Sequence, residues 1–380
     1  MTQGKPLDLY CNIWFSKGIE PKVIKASHKY IWNKDWKWKP HLLNPYLFSC
    51  TLPANWMMNK QGHFPKAVSL IGERCQRTSN LLKVNHPVKI LEENEKNDQN
   101  EQNDLENFSE TKTKDFMVCV KGLDYPEDIS YKLIEWIELI RLLGADKIHF
   151  YILNVHENVA KVLGHYKQVG WIITEGLSIP GPSLPSSKNR PQKKRHELIP
   201  YNDCFYKHRE DYKYVILLDV DEIIMPNIGT WKDLIAKMQN LNPDIIASTF
   251  SVPNAYFFDE TLKNNALDNP ETDSKLHMLR TLHRTKNITQ PSLFIKGFHN
   301  ASDVVTVHNH FPIECAHGKC TEVKIHEDIA KLAHYRSCPV LLGDKCHALI
   351  EDYVKDDGIL RFKHDLLRNI QKSVRDIKLS

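Results

Sequence analysis

The sequence predicts an α/β protein: a mostly parallel sheet flanked by helices, with a smaller β-rich unit at the N-terminus. Three observations carry that reading. From Phe116 onward, short apolar runs alternate with stretches whose apolar residues recur every three or four positions, as in strands separated by helices. The first 90 residues are rich in aromatics and prolines, with closely spaced turn signals and no sustained helical period. Between the two, residues 91–115 hold nine acids against three lysines and almost nothing apolar to bury. The expected division is 1–90, a β-rich unit; 91–115, a flexible acidic linker; and 116–380, the α/β domain. A chain of 380 residues also exceeds the usual size of one hydrophobic core.

In the first unit, Lys22-Val-Ile-Lys and Ala67-Val-Ser-Leu-Ile read as strands. Trp32, Trp36, Trp38 and Trp56 are expected to fill its small core, the alternative being a surface on which sugar rings stack. The larger domain opens with Phe116-Met-Val-Cys-Val, a run of buried-strand length. Residues 129–143 carry apolar side chains at 133, 134, 137, 140 and 143, one helix face, and Gly144 follows as a stop signal. A strand from Lys147, a helix over 159–169 and a strand at Trp171-Ile-Ile-Thr come next. Four prolines make 175–194 irregular. A short helix over 202–209 leads into the strand 214–218. Parallel sheets of this kind bind ligands at the carboxyl ends of their strands.

Composition excludes several classes. With 41% hydrophobic and 26% charged residues the chain is neither fibrous nor wholly disordered. A net charge of +4 is too balanced for a dedicated nucleic-acid binder. No stretch approaches the ~18 consecutive apolar residues of a membrane span. The first residues lack the apolar core of a signal peptide. Nine cysteines include no Cys-x-x-Cys pair, which argues against a zinc ribbon, and Cys315 and Cys320 are spaced to close a short disulfide loop. Sequons at Asn107, Asn287 and Asn300, together with the clustered cysteines, point to an oxidising secretory compartment. Either the N-terminus is then incomplete or export is unusual.

The chemistry concentrates where the strand 214–218 meets Asp219-Val220-Asp221-Glu222, the chain's one Asp-x-Asp. On an extended chain, side chains two apart face one way, so Asp219 and Asp221 are expected to converge while Val220 packs. Paired carboxylates suit a hard divalent ion, Mg²⁺ or Mn²⁺, that can grip a diphosphate. A solvated acidic turn is the plainer alternative.

Around this motif stand Asn202-Asp-Cys-Phe-Tyr-Lys-His-Arg, Ile223-Ile-Met-Pro, Val307-His-Asn-His-Phe-Pro, His334-Tyr-Arg, Glu135-Trp-Ile-Glu and Arg141-Leu-Leu-Gly-Ala. In this order they resemble glycosyltransferase family 92, over roughly 116–338. The resemblance implies a GT-A (Rossmann-like) fold and an inverting transferase that takes a UDP-sugar, usually UDP-galactose, with manganese. β-1,4-Galactosyl transfer to a glycan or glycoprotein acceptor is the activity it implies, and the Golgi lumen the place. It also implies that Asp221 ligates the metal and that Asp219 faces the ribose or the metal's water shell. The acidic stretch 91–115 is an addition to the family pattern.

Ten of the nineteen histidines lie between His277 and His364, so a further metal ligand is sought there. His308 and His310, two apart at a strand end, and His334 are the candidates. Arg336 suits phosphate oxygens, and Asn202 and Asp203 are candidates for uracil or ribose. Inversion needs a general base near the acceptor hydroxyl; Asp259 is named first and Glu260 second, with a solvated turn as the alternative. The basic run 188–196 is read as a solvated loop before an anion site. Two other classes remain: a non-catalytic glycan-binding protein descended from such enzymes, against which the intact Asp-x-Asp argues, and a nucleotidyltransferase, for which no Gly-rich phosphate loop is present.

Overall fold

The computed structural model describes residues 2–3, 8–15, 20–32, 42–53, 56, 64–84, 114–179, 190–261, 275–289, 294–338 and 344–379. The chain forms two compact units, Met1–Thr111 with Pro180–His196, and Lys112–Ile179 with Glu197–Ser380. Of the acidic stretch, 91–113 lies outside the described residues. Lys114 and Asp115 do not belong to a linker; they open the first strand of the larger unit. Asp146 Oδ2 accepts the backbone N–H of Asp115 at 2.9 Å and of Phe116 at 2.8 Å, which fixes the start of that strand. Residues 180–196 fall with the first unit, although they interrupt the second in sequence.

The first unit contains a four-stranded antiparallel sheet, in the order Lys22–Lys25, Tyr10–Phe15, Pro65–Ile71, Leu82–Lys83. Its interior is small, built on Cys11, Ile13, Phe15 and Ala26, and a Cys11–Cys50 disulfide supplements it. Trp56 stands edge-on to Phe15 at 6.1 Å, and Trp32 is buried under the Arg195 guanidinium at 4.6 Å. Both pack rather than present a sugar platform; Trp36 and Trp38 lie outside the described residues.

In the larger unit we label β1 (Lys114–Tyr125), α1 (Ser130–Leu143), β2 (Lys147–Val155), α2 (Glu157–Gln168), β3 (Ile172–Gly176), α3 (Leu198–His208), β4 (Tyr212–Leu217), β5 (Glu222–Pro226), α4 (Trp231–Leu241), β6 (Thr249–Val252), β7 (Asn254–Phe258), β8 (Lys296–Asn300), β9 (Glu322–Lys324), β10 (Ala330–Arg336) and α5 (Lys363–Ile377). Seven strands form one sheet in the order β3-β2-β1-β4-β8-β6-β9, and only β8 runs against the rest. A second sheet, β5-β10-β7, sets β10 antiparallel to β5 and parallel to β7.

Strand β1 shows why both faces are covered. Phe116, Val118 and Val120 enter the core shared with α1, α2, α4 and α5, while Met117 and Cys119 enter the other, with Tyr201, Cys204 and Phe205 of α3. A Cys119–Cys204 disulfide ties α3 to β1. Helix α1 stops where Gly144 takes φ 110°, a conformation costly to any residue with a Cβ. The mostly parallel, helix-flanked sheet with a β-rich N-terminal unit is the architecture the sequence predicts.

Candidate active site

The acidic motif begins where β4 leaves the sheet. Leu218 N still bonds Cys119 O, at 3.2 Å, and the chain then turns, with Glu222 N donating to Asp219 O at 3.0 Å. This corrects the extended geometry expected of Asp219-Val220-Asp221: the strand ends first, so alternation no longer sets side-chain direction. Val220 packs into the core as expected. Asp219 accepts a hydrogen bond from Tyr201 Oη at 3.1 Å, and its Oδ2 lies 3.1 Å from Lys121 Nζ on β1. Asp221 instead places Oδ2 3.4 Å from His334 Nε2 on β10, and its backbone oxygen accepts from Tyr335 N at 2.8 Å. The two aspartates thus have different partners.

Glu222, the first residue of β5, holds the turn from beneath. Its Oε2 accepts from Asp219 N and from Lys296 Nζ, both at 2.9 Å. The Lys296 side chain is fully buried and also bonds Asn309 Oδ1 at 2.6 Å. Lys121 completes its own pairing with Glu197 at 3.3 Å. Burial works against the Asp219 carboxylate, but the Lys121 and Lys296 charges outweigh it and hold its pKa well below the usual range. Burial also works against the Lys121 ammonium, yet Asp219 and Glu197 raise its pKa. For Glu222 burial wins over Lys296, and its pKa is raised. The sequence reading missed Lys121, Tyr201 and Lys296. A lysine inside an apolar strand run is the signal that marks the two lysines, because such a charge is rarely buried without a partner.

A cleft of about 410 Å³ opens beside the turn, lined by Tyr125, Lys132, Asp221, Asp259, His277 and Arg336 among others. Three residues singled out from the sequence, Asp221, Asp259 and Arg336, therefore share one cavity. Asp259 directly follows β7, with its backbone N–H bonded to Arg336 O at 3.2 Å. Its carboxylate accepts from Ser337 Oγ at 2.8 Å and is hydrogen-bonded to His277 Nε2. Burial pushes its pKa up, but those bonds prevail and lower it. His277 is itself positioned from below: Glu135 of α1, fully buried, accepts the backbone N–H groups of His277, Met278 and Leu279 at 2.7, 3.0 and 2.8 Å. His277 was not named from the sequence, since nothing local links it to Asp259.

The remaining candidates sit elsewhere. Glu260 accepts from Cys338 N at 3.1 Å and fixes the chain after β10. His310 bonds Ile295 O at 3.0 Å through Nδ1, and burial with the nearby Lys296 charge pushes its pKa down to about 3. His308 is buried and stacks on Phe311 at 4.7 Å. Of the three histidines it is His334 that meets Asp221. Asn202 donates to Leu198 O and Val307 O, at 2.8 and 2.9 Å, and accepts from Val307 N at 3.1 Å, binding α3 to the strand Val304–Val307. Asp203 pairs with Lys207 at 2.6 Å and accepts from Tyr151 Oη. These contacts account for Asn202 and Asp203 as parts of the scaffold. Cys315 and Cys320 are linked, as their spacing suggested.

The donor set suits a divalent ion. Asp221 Oδ2 and His334 Nε2 stand 3.4 Å apart, the span of two atoms sharing an ion through bonds of about 2.1 Å. His334 Nδ1 is buried without a hydrogen bond, 3.8 Å from Glu222 Oε1. The carboxylate oxygen is a donor that a hard ion such as Mn²⁺ accepts, and the imidazole nitrogen adds one that transition metals favour. Another cluster, His149, Cys204 and His208, brings its atoms within 4.8 Å, but the Cys204 sulfur is already in a disulfide.

A mostly parallel sheet with carboxylates at the carboxyl end of a central strand places the chain among α/β proteins, whose ligand sites lie at that end. The profile of glycosyltransferase family 92 matches residues 114–369, and the chain belongs to that family. Its mostly parallel, helix-flanked sheet is the one expected of a GT-A (Rossmann-like) fold. No curated protein matches it. Among solved structures, S. aureus TarS is similar at 11% identity over 38% of this chain and 22% of TarS, with a TM-score of 0.25. S. aureus TarS 1-349 in complex with UDP shares 13% identity over 37% of this chain and 36% of that one, again at 0.25. HddC from Yersinia pseudotuberculosis shares 10% identity over 62% of this chain and 98% of its own, at 0.28. The chain thus spans well under two thirds of the first two, and similarity at these scores has no bearing on function.

Proposed function

We propose that the chain transfers a hexose, galactose before others, from a UDP-sugar to a glycan or glycoprotein acceptor with inversion at the anomeric carbon, in the Golgi lumen or elsewhere in the secretory pathway. The observation that carries this reading is the meeting of Asp221 with His334 at the edge of a cleft that also holds Arg336 and Asp259. Asp221 and His334 would hold a manganese or magnesium ion. When bound, such an ion neutralises the charge that grows on the β-phosphate as the sugar–phosphate bond breaks. Arg336 and Lys132 add positive charge to the same cleft, suited to phosphate oxygens. Asp219, ion-paired to Lys121 and bonded by Tyr201, keeps the turn in place. Asp259 accepts the proton of the acceptor hydroxyl as that oxygen attacks the sugar opposite UDP, and His277 orients the receiving carboxylate. The disulfides Cys11–Cys50, Cys119–Cys204 and Cys315–Cys320 suit an oxidising compartment, and among the described residues no helix is long and apolar enough to cross a membrane.

The test combines titration with turnover. UDP should bind calorimetrically only with Mn²⁺ or Mg²⁺ present, and a screen of UDP-sugars against glycan acceptors should show galactosyl transfer. Asp221→Asn should abolish the cation-dependent binding. Asp259→Asn should keep it while lowering kcat by about 100- to 10,000-fold. Glycan binding with no response to UDP would instead make the chain a lectin-like descendant of the enzymes.

A further inference from the structure

The structure separates two of the three sequons, and we propose that Asn287, not Asn300, carries an N-linked glycan. Asn287 lies on an exposed bend just after the short strand His283–Thr285. Its backbone oxygen accepts from Thr285 Oγ1 at 3.1 Å, but among the described residues its carboxamide has no hydrogen-bond partner. Backbone and neighbouring side chains alone hold the bend: Lys286 N donates to Asp352 O at 3.0 Å, and Arg284 Nη1 donates to Thr285 O and Lys286 O at 2.9 and 3.2 Å. The strand beneath is paired with Tyr353–Lys355. The bend therefore keeps its shape whether or not the asparagine side chain is modified. Asn287 is also no part of the lining of the cleft that holds Asp221 and Asp259.

Asn300 stands in the opposite situation. It ends β8 inside the seven-stranded sheet, paired with Tyr214, and its backbone N–H donates to Ser248 O at 2.8 Å. Its side chain is half-buried and engaged at both ends: Nδ2 donates to Ala247 O at 3.3 Å and Oδ1 accepts from Ser302 N at 3.0 Å. It forms one wall of a 330 Å³ hollow with Tyr214, Ile235 and Gln239. A sugar on Nδ2 would crowd that wall, and the nitrogen would be left with a single N–H to divide between the linkage geometry and Ala247 O.

The modification is a group transfer. The Asn287 Nδ2 lone pair attacks the anomeric carbon of an oligosaccharide carried on a lipid diphosphate. The carbon–oxygen bond to the diphosphate breaks, the lipid diphosphate leaves, and Nδ2 gives up one proton. The co-reactant is met wherever the chain enters a glycosylating compartment, which makes the proposal independent of what the chain itself transfers. For the test, the full chain with Asn107→Gln is secreted from eukaryotic cells behind a cleavable leader, so that any glycan reports on the two remaining sequons. Peptide mapping after amidase release, which converts each formerly glycosylated asparagine to aspartate, should find the change at Asn287 and an unmodified Asn300. Asn287→Gln should abolish the mobility shift on deglycosylation, and Asn300→Gln should leave it unchanged. A secreted chain bare at Asn287, or occupied chiefly at Asn300, would overturn the proposal, whatever the transferase assays return.

Discussion

At the scale of single residues, the site depends on buried charges that neutralise one another. Lys296 is the clearest case, since its fully buried ammonium sits between Glu222 and Asn309. Replacing it with methionine preserves volume but strands Glu222, which would then face Asp219 N without a countercharge. Removing one partner of a buried pair costs about 3–5 kcal/mol. Lys296→Met should accordingly lower stability to denaturant by that amount, and UDP binding with it, whereas Lys296→Met with Glu222→Gln should recover part of the loss. A single variant as stable as the parent would show that the pair does not hold the turn. A second residue-scale prediction follows from His208. Burial, then the His149 and Lys207 charges, push its pKa from 6.5 down to about 4. Between those values the unfolded chain binds the proton more readily than the folded one, so stability is full above the upper value and lost as pH falls towards the lower. The effect is about 3 kcal/mol at most. His310, pushed down to about 3, acts with the same sign. Denaturant titrations at neutral pH and midway between 4 and 6.5 should show the loss; a flat profile would contradict the buried neutral imidazoles.

At the scale of elements, helix α1 reaches the cleft through a carboxylate that never enters it. Glu135 gathers three consecutive backbone N–H groups and so fixes where His277 stands beside Asp259. Glutamine there keeps one acceptor oxygen and turns an amide group towards the donors. Glu135→Gln should cost about 1–3 kcal/mol and reduce turnover more than cation-dependent UDP binding. Unchanged melting and unchanged turnover together would show that the loop needs no such anchor. The same elements mark where sequence reading succeeds and stops. The β1-α1-β2 alternation is legible because burial on both faces of β1 writes continuous apolar runs, and because Gly144 ends α1 where a positive φ is required. Asp219 and Asp221 were legible by their place at the end of an apolar strand. Their divergence was not, because strand alternation was carried past Leu217, where the backbone already turns. Tyr201 and His277 became visible only once partners far along the chain were brought beside them, whereas Lys121 and Lys296 carry a local signal as charges inside apolar runs.

At the scale of the whole molecule, the division into units does not follow the sequence. The chain leaves the larger unit after Ile179, contributes Pro180–His196 to the first, and returns at Glu197. Within that excursion Arg195 is buried at 2% exposure, stacks over Trp32 at 4.6 Å and donates to Asn44 Oδ1 at 3.3 Å. Leu43 N and O are both held by Gln192, at 2.8 and 2.9 Å. All of those partners lie in Met1–Thr111. The short helix Arg190–His196 is too brief to be stable alone, so it should lose its structure when they are removed. The larger unit, which holds every residue placed in the cleft, keeps its own core and its seven- and three-stranded sheets. Deleting 1–111 should therefore leave a folded unit with a new protease-sensitive segment. Limited trypsinolysis with mass mapping should find cleavage after Arg195 early in the truncated chain and late or never in the full one. Equal protection of Arg195 in both would mean that the excursion is held from elsewhere, and the interleaved division of the chain would then be wrong.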